Sequence, residues 1–325
     1  TFFTELDYAQ IKDAKIKIKN ALKSGIIKSL KKNVAPEHLG IVKALFLGDK
    51  SSLEQEMRQS FSAAGAMHLL AISGLHIGLF IWIIYGVFRF FSRLIRRNTA
   101  LLFAFIFIWL YAYLIDFPPS VLRSVLMFSI LSLGYFTRGI KNQLNILFFS
   151  ATVLLLVDTA YLLDIGYQLS YAAMLGIILC YNALSSNIRF KKKPLTFLWN
   201  ATALCLSAQL FTFPICLYYF HQFPNYFILS NLGIVTLAGI IVGLGGAVII
   251  FSQLAFLAEK IAFLLSVLLS LLITFIQWIE NLPGSIAQGF IFHEIELILL
   301  FTCCALVYWS LINKKHRLIS GIFGI

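Results

Sequence analysis

Residues 226–253 read YFILSNLGIVTLAGIIVGLGGAVIIFSQ, and no aspartate, glutamate, lysine or arginine interrupts them. A helix rises 1.5 Å per residue, so about 20 apolar residues cross the ~30 Å hydrocarbon core of a bilayer. This run is long enough. The rest of the chain reads the same way: 60% of its 325 residues are hydrophobic and only 12% are charged. A water-soluble protein of this length needs a charged shell, which such a composition cannot supply. The sequence therefore specifies an integral membrane protein.

Working outward from that run, apolar segments at 67–91, 99–115, 120–137, 144–157, 166–184, 195–220, 226–253, 260–280 and 294–313 give about nine spans. The expected fold is an all-α, polytopic transmembrane helix bundle. The last residues, LISGIFGI, read as the start of a further span, so the C-terminus is expected to be truncated. The first residue, Thr1, is not a methionine, and no signal peptide is in view.

Charge sorts the connecting loops. Arg93, Arg96 and Arg97 follow the first span, and Arg138 and Lys141 the third. Arg189, Lys191, Lys192 and Lys193 follow the fifth, Lys260 the seventh, and Lys314, Lys315 and Arg317 the ninth. The loops between them, DFPP, DTAYLLDI, HQFPN and NLPGSIAQGFIFH, contain neither lysine nor arginine. Basic loops stay in the cytoplasm, so residue 67 enters from the outer side.

Residues 1–66 form a separate, basic segment with eleven Lys or Arg residues, placed on the outer side by the same orientation. Ile11, Ala14, Ile18, Ala21, Leu22 and Gly25 share one helical face with lysines around them. That pattern suits an amphipathic helix in the membrane interface, although KIKIK at 15–19 also permits a strand. Pro36 opens a second helix that Gly48 ends. Ser51 and Glu54 have capping-box spacing ahead of a third, with Leu53, Met57 and Phe61 on one side. The charge serves either a solvated, lipid-facing surface or a collar that gathers a polyanion. The remainder, 67–325, is the transmembrane domain.

The first span is the odd one. Residues 68–80, HLLAISGLHIGLF, hold two histidines, a serine and two glycines. On an unbroken helix at 100° per residue, His76 and Ser73 fall about 80° and about 140° from His68. Gly74 and Gly78 occupy the opposite side with G-x-x-x-G spacing, which lets a neighbouring helix come close; Gly239 and Gly243 repeat the spacing. A polar face in a membrane needs water, other polar groups or a solute. Channel-lining residues are thus His68, Ser73 and His76, joined by Gln168 and Ser170 on the fifth span and Asn231 on the seventh.

Arg123, in FPPSVLRS, lies about one turn into the bilayer. Asp158 and Asp164 in the outer loops are its expected ion-pair partners at the outer mouth, and contact with a phosphate is the alternative. Two histidines without a third ligand do not make a metal site. No cofactor is expected. The five cysteines, all inside apolar segments, read as packing residues. Transport of a small solute with proton relay by the histidines, and an intramembrane hydrolase using Ser73, remain rival classes.

HLLAISGLHIG at 68–78 and the preceding ALFLGDKSSLEQEMRQSFSAAG resemble the signature of the ComEC family of bacterial competence proteins. FPPSVLRSVLMF at 117–128 and DTAYLLDIGYQLSYAAMLGI at 158–177 are similar to further elements of that family. The resemblance implies a channel in the bacterial cytoplasmic membrane that passes single-stranded DNA inward during natural transformation. It also implies an outer-side DNA-binding domain of the same full-length chain, and a cytoplasmic helicase or motor as a partner beside the membrane lipids. The His-x-His-x-Asp-His motif of the family's metallo-β-lactamase-like domain is absent here, so this segment is expected not to be an enzyme.

Overall fold

The computed structural model describes residues 2–70, 72–90, 97–137, 142–188, 190–290 and 293–323. Arg93, Arg96, Arg138, Lys141 and Arg189 of the expected basic loops lie outside these residues. Twelve α-helices are described: α1 Phe2–Asn33, α2 Pro36–Leu47, α3 Gln55–Ala63, α4 Gly74–Phe90, α5 Arg97–Leu114, α6 Pro119–Thr137, α7 Gln143–Val157, α8 Ile165–Asn187, α9 Lys193–Phe220, α10 Phe227–Ile250, α11 Ala255–Glu280 and α12 Glu294–Phe323. A 3-10 turn covers Thr159–Leu163, and two short strands, β1 Gln222–Pro224 and β2 Ile286–Gln288, complete the elements.

The chain is all-α apart from that strand pair. Helices α8, α9, α10 and α11 are long and apolar enough to cross a membrane, and five shorter apolar stretches lie in α4, α5, α6, α7 and α12. Residues 318–325 were expected to begin a new span. Instead α12 continues through them to Phe323, since no glycine–proline break separates the two apolar stretches.

The chain is compact in two units. The first comprises residues 1–58, 67–121 and 237–275; the second comprises 59–66, 122–236 and 276–325. Compactness therefore does not divide at residue 66.

In the first unit, α2 forms because Pro36 presets the first turn, and it ends because Gly48 adopts φ 69°, a left-handed conformation open to glycine. The helix is buried rather than interfacial. Ile41, Val42, Ala44 and Leu45 are fully enclosed, and the Tyr111 hydroxyl of α5 donates to the Phe46 carbonyl at 2.9 Å. Gly245 of α10 lets the Phe46 ring in: a Cβ there would sit 2.5 Å from the ring. In α1, by contrast, Ile18 and Leu22 are 61% and 48% exposed. Lys19 and Lys23 of α1 reach Asp116 in the DFPP corner, the second at 2.8 Å. They brace a tight turn in which Asp116 and Phe117 both take positive φ. The expected cap of α3 fails, because the Ser51 amide and hydroxyl go to Asp49 Oδ1 instead, and the helix opens at Gln55.

In the second unit the tightest seam is α8 against α9. Gly176 meets the Ser207 carbonyl oxygen, with Phe211 Cδ2 3.0 Å from where a Cβ would stand. Met127 of α6 packs with Ile146 and Leu147 of α7 and with Tyr171, Met174, Leu175 and Ile178 of α8. The loops HQFPN and NLPGSIAQGFIFH pair as β1 and β2, antiparallel, with Phe223 opposite Ala287. Gln222 donates to Ser62 Oγ at 2.8 Å, and Gly65 packs on Pro224, so residues 59–66 join the same end of this unit.

Candidate functional site

The polar residues singled out in the sequence fall into two groups, one in each unit. His68, Ser73 and His76 belong to the first; Gln168, Ser170 and Asn231 belong to the second, with Arg123, Asp158 and Asp164.

The unbroken helix assumed for 68–80 does not exist. Residues 67–70 form turns, and α4 begins at Gly74, so His68 and His76 do not share a helical face. His68 is exposed, Ser73 half-buried, and His76 only 1% exposed. The break has a local cause. Ser73 stands at the N-cap: its carbonyl accepts from His76 N at 3.1 Å, and its own N–H donates to His76 Nδ1 at 3.2 Å. This is one half of a capping box, the N3 side chain accepting from the N-cap N–H, with an imidazole where glutamate or glutamine usually sits. Because Nδ1 receives a backbone N–H, the neutral ring carries its proton on Nε2. Among the described residues that buried Nε2 has no hydrogen-bond partner. Ser73 Oγ also lies 3.2 Å from Nδ1. Upstream, the Ile72 carbonyl accepts from Ser120 Oγ at 2.8 Å, which satisfies a non-helical backbone group inside an apolar segment.

The glycine pairs do not make the expected close contacts. A Cβ at Gly78, Gly239 or Gly243 would meet nothing within 4 Å, and Gly74 serves as the first residue of α4. A glycine's narrowness is used only where another group arrives, and here the Ser207 backbone arrives at Gly176 and the Phe46 ring at Gly245 instead.

In the second unit, Arg123 is 7% exposed. Its Nε donates to Ser170 Oγ at 2.6 Å and its Nη1 to Met127 Sδ at 3.6 Å, while Cζ stands 6.0 Å from the Tyr171 ring centre. The expected ion pair with Asp158 or Asp164 is not formed. Each carboxylate caps the element after it: Asp158 Oδ1 accepts from Ala160 N at 2.9 Å, and Asp164 Oδ1 from Tyr167 N at 2.7 Å. A cap satisfied a few residues away outcompetes a distant cation. Tyr171 exchanges a 3.1 Å bond with Ser150 Oγ, and its ring lies 4.5 Å from that of Tyr167. Gln168 donates to the Leu162 carbonyl at 2.9 Å and to Tyr219 Oη at 3.2 Å. Asn231 is half-buried on α10. Elsewhere in this unit Leu206, Gln209, Leu210, Phe213, Phe223 and Phe227 line an open cavity of about 230 Å³.

Sequence reasoning missed Ser150 and Ser120, whereas Tyr171 falls on the polar side of the fifth span with Gln168 and Ser170. The Ser-x-x-His spacing at 73–76 was the one available sign of the capping box.

The family described as Competence protein matches residues 45–317, which take in both polar groups. The chain belongs to that family. This competence-family chain is 37% identical over 204 residues to ComE operon protein 3 of Bacillus subtilis, an alignment covering 62% of the chain and 25% of that protein. It is 30% identical over 149 residues to Competence protein ComA of Neisseria gonorrhoeae, covering 43% and 21%. Recombination protein 2 of Haemophilus influenzae is 28% identical over 195 residues, covering 56% and 24%. The chain thus spans about a quarter of the length of these curated relatives. No solved structure matches it.

Proposed function

We propose that this competence-family chain is the membrane part of a DNA-uptake channel, passing single-stranded DNA across the bacterial cytoplasmic membrane during natural transformation. The family match over residues 45–317 carries the reading. The four long apolar helices and the five shorter apolar stretches supply its membrane spans. With the lysine-free loops assigned to the outer side by charge, Lys23 on Asp116 in the first unit and Gln222 on Ser62 in the second each tie part of residues 1–66 to such a loop. They also answer an electrostatic difficulty, since lysines from α1 offset a carboxylate that would repel a polyanion.

His76 in the first unit and Arg123 in the second are nearly enclosed in apolar helices, and ionisable groups at such positions favour a functional role over a passive anchor. The reading assigns no catalytic step to this chain. Ser73 and His76 are in contact, but Nδ1 is already engaged by the Ser73 amide, and the contact serves the helix start. Strand binding by an outer domain of the full-length chain and pulling by a cytoplasmic motor complete the proposal.

The test is uptake of labelled duplex DNA by competent cells, with and without the gene for the full-length protein. Deletion should abolish nuclease-resistant, internalised DNA and leave surface-bound DNA in place. Unchanged internalisation in the deletion strain would refute the channel reading.

A further inference from the structure

Arg123 stands in the second turn of α6, and its guanidinium is a permanent cation. Everything it touches is neutral: the Ser170 hydroxyl, the Met127 thioether and the face of the Tyr171 ring. A thioether is a weak acceptor, so most of the five N–H donors are left without a strong partner. The acidic groups of this unit do not supply one. Asp158 and Asp164 cap helical elements, Glu296 Oε2 accepts from His293 N at 2.9 Å, and among the described residues none of them pairs with Arg123.

Arg123 stands in the second turn of α6 and Ser170 in the second turn of α8, so the neutral groups around the guanidinium come from two helices. Burying a cation without an anionic partner carries a large desolvation penalty, which an anion reaching the guanidinium would offset.

We infer that Arg123 is a phosphate contact for the translocating strand, its free N–H edge taking the two non-bridging oxygens of one phosphodiester. This rests on the channel reading above. The planar fork matches that pair of oxygens, and Ser170 fixes the ring of donors by holding Nε at 2.6 Å. Tyr171, half-buried, adds an aromatic ring beside the cation, with its centre 6.0 Å from Cζ and with the buried Tyr167 packed behind it. A cation beside an aromatic face is how proteins hold single strands without reading sequence. Ser170 and Tyr171 are positioning residues here.

The experiment uses the full-length protein in phosphatidylcholine nanodiscs with a single strand carrying 5-iododeoxyuridine. Binding is measured against salt, and photo-crosslinked peptides are mapped by mass spectrometry. Wild type should crosslink at Tyr171. Arg123→Met should weaken binding roughly ten- to a hundredfold and lose that crosslink. The slope of log affinity against log salt should fall by about 0.7, the signature of one phosphate contact fewer on a single strand. Arg123→Lys, which keeps the charge for folding, should keep the slope and bind with intermediate strength.

A wild-type slope and crosslink in Arg123→Met would overturn the proposal while leaving the channel reading intact. So would an Arg123-dependent phospholipid seen by native mass spectrometry with strand binding unaltered, since the anion would then be a headgroup. Should Arg123→Met not accumulate in the membrane, Arg123→Gln and the Lys variant carry the slope measurement. Failure of wild type to bind any strand, together with normal DNA uptake in the deletion strain, would sink the channel reading itself.

Discussion

Replacing His76 tests the reading of the broken first span. His76→Leu removes the acceptor of the Ser73 N–H, now bonded to Nδ1 at 3.2 Å, and leaves that amide unsatisfied at the start of a 17-residue helix. Loss of an N-terminal cap costs about 1 kcal/mol, and an orphaned donor in a buried setting about 1–3 kcal/mol. The first turn of α4 should therefore open about 5- to 150-fold more often. His76→Gln offers a side-chain oxygen at the same capping position and should recover most of the loss. The assay is hydrogen exchange by mass spectrometry on the full-length protein in nanodiscs, following peptides that cover residues 70–82. Local exchange reports this opening without requiring the whole protein to unfold reversibly. Wild-type exchange in His76→Leu would refute the cap, and so would His76→Gln exchanging as fast as His76→Leu. In the second case the imidazole holds the segment by some contact other than Nδ1.

Two further outcomes follow from the packing and the caps. Gly176→Ala places a methyl against the Ser207 carbonyl and the Phe211 ring, so it should destabilise the α8–α9 seam by about 1–3 kcal/mol. Gly239→Ala meets nothing within 4 Å and should leave thermal stability in detergent unchanged or slightly raised. Asp49 is held below the ordinary carboxylate value of 3.8 by hydrogen bonds from the Ser51 hydroxyl and amide. Since the folded value is the depressed one, the stabilisation is complete above 3.8 and is lost as pH falls through the lower, folded value. Ser51→Ala should raise the Asp49 midpoint toward 3.8, as followed by carbonyl chemical shift, and an unchanged midpoint would refute the assignment.

Much of this protein was legible in one dimension because hydropathy and capping are local. Membrane residence follows from charge-free runs such as 226–253, which no soluble fold could cover. The start and stop of α2 followed from Pro36 and Gly48, since each residue carries its own backbone restriction. The roles of Asp158 and Asp164 were also local. An aspartate just before a helix is a cap by its spacing, and reading them as partners of Arg123 passed over that nearer competitor.

The remaining decisions belonged to the tertiary structure. Periodicity alone put His68 and His76 on one helical face, but the chain there is not helical until Gly74, because Ser120 from α6 binds the Ile72 carbonyl and His76 turns back on Ser73. Nothing in a 100° rotation anticipates a bond across 48 residues. G-x-x-x-G spacing likewise marks where a helix is narrow, while the arrival of a backbone at Gly176 or of the Phe46 ring at Gly245 decides where narrowness is used. The sequence by itself determined that an arginine would lie inside an apolar helix. Only the fold surrounded Arg123 with Ser170, Met127 and Tyr171 and kept every described carboxylate from pairing with it, since side chains 47 residues apart meet through packing and not through pattern.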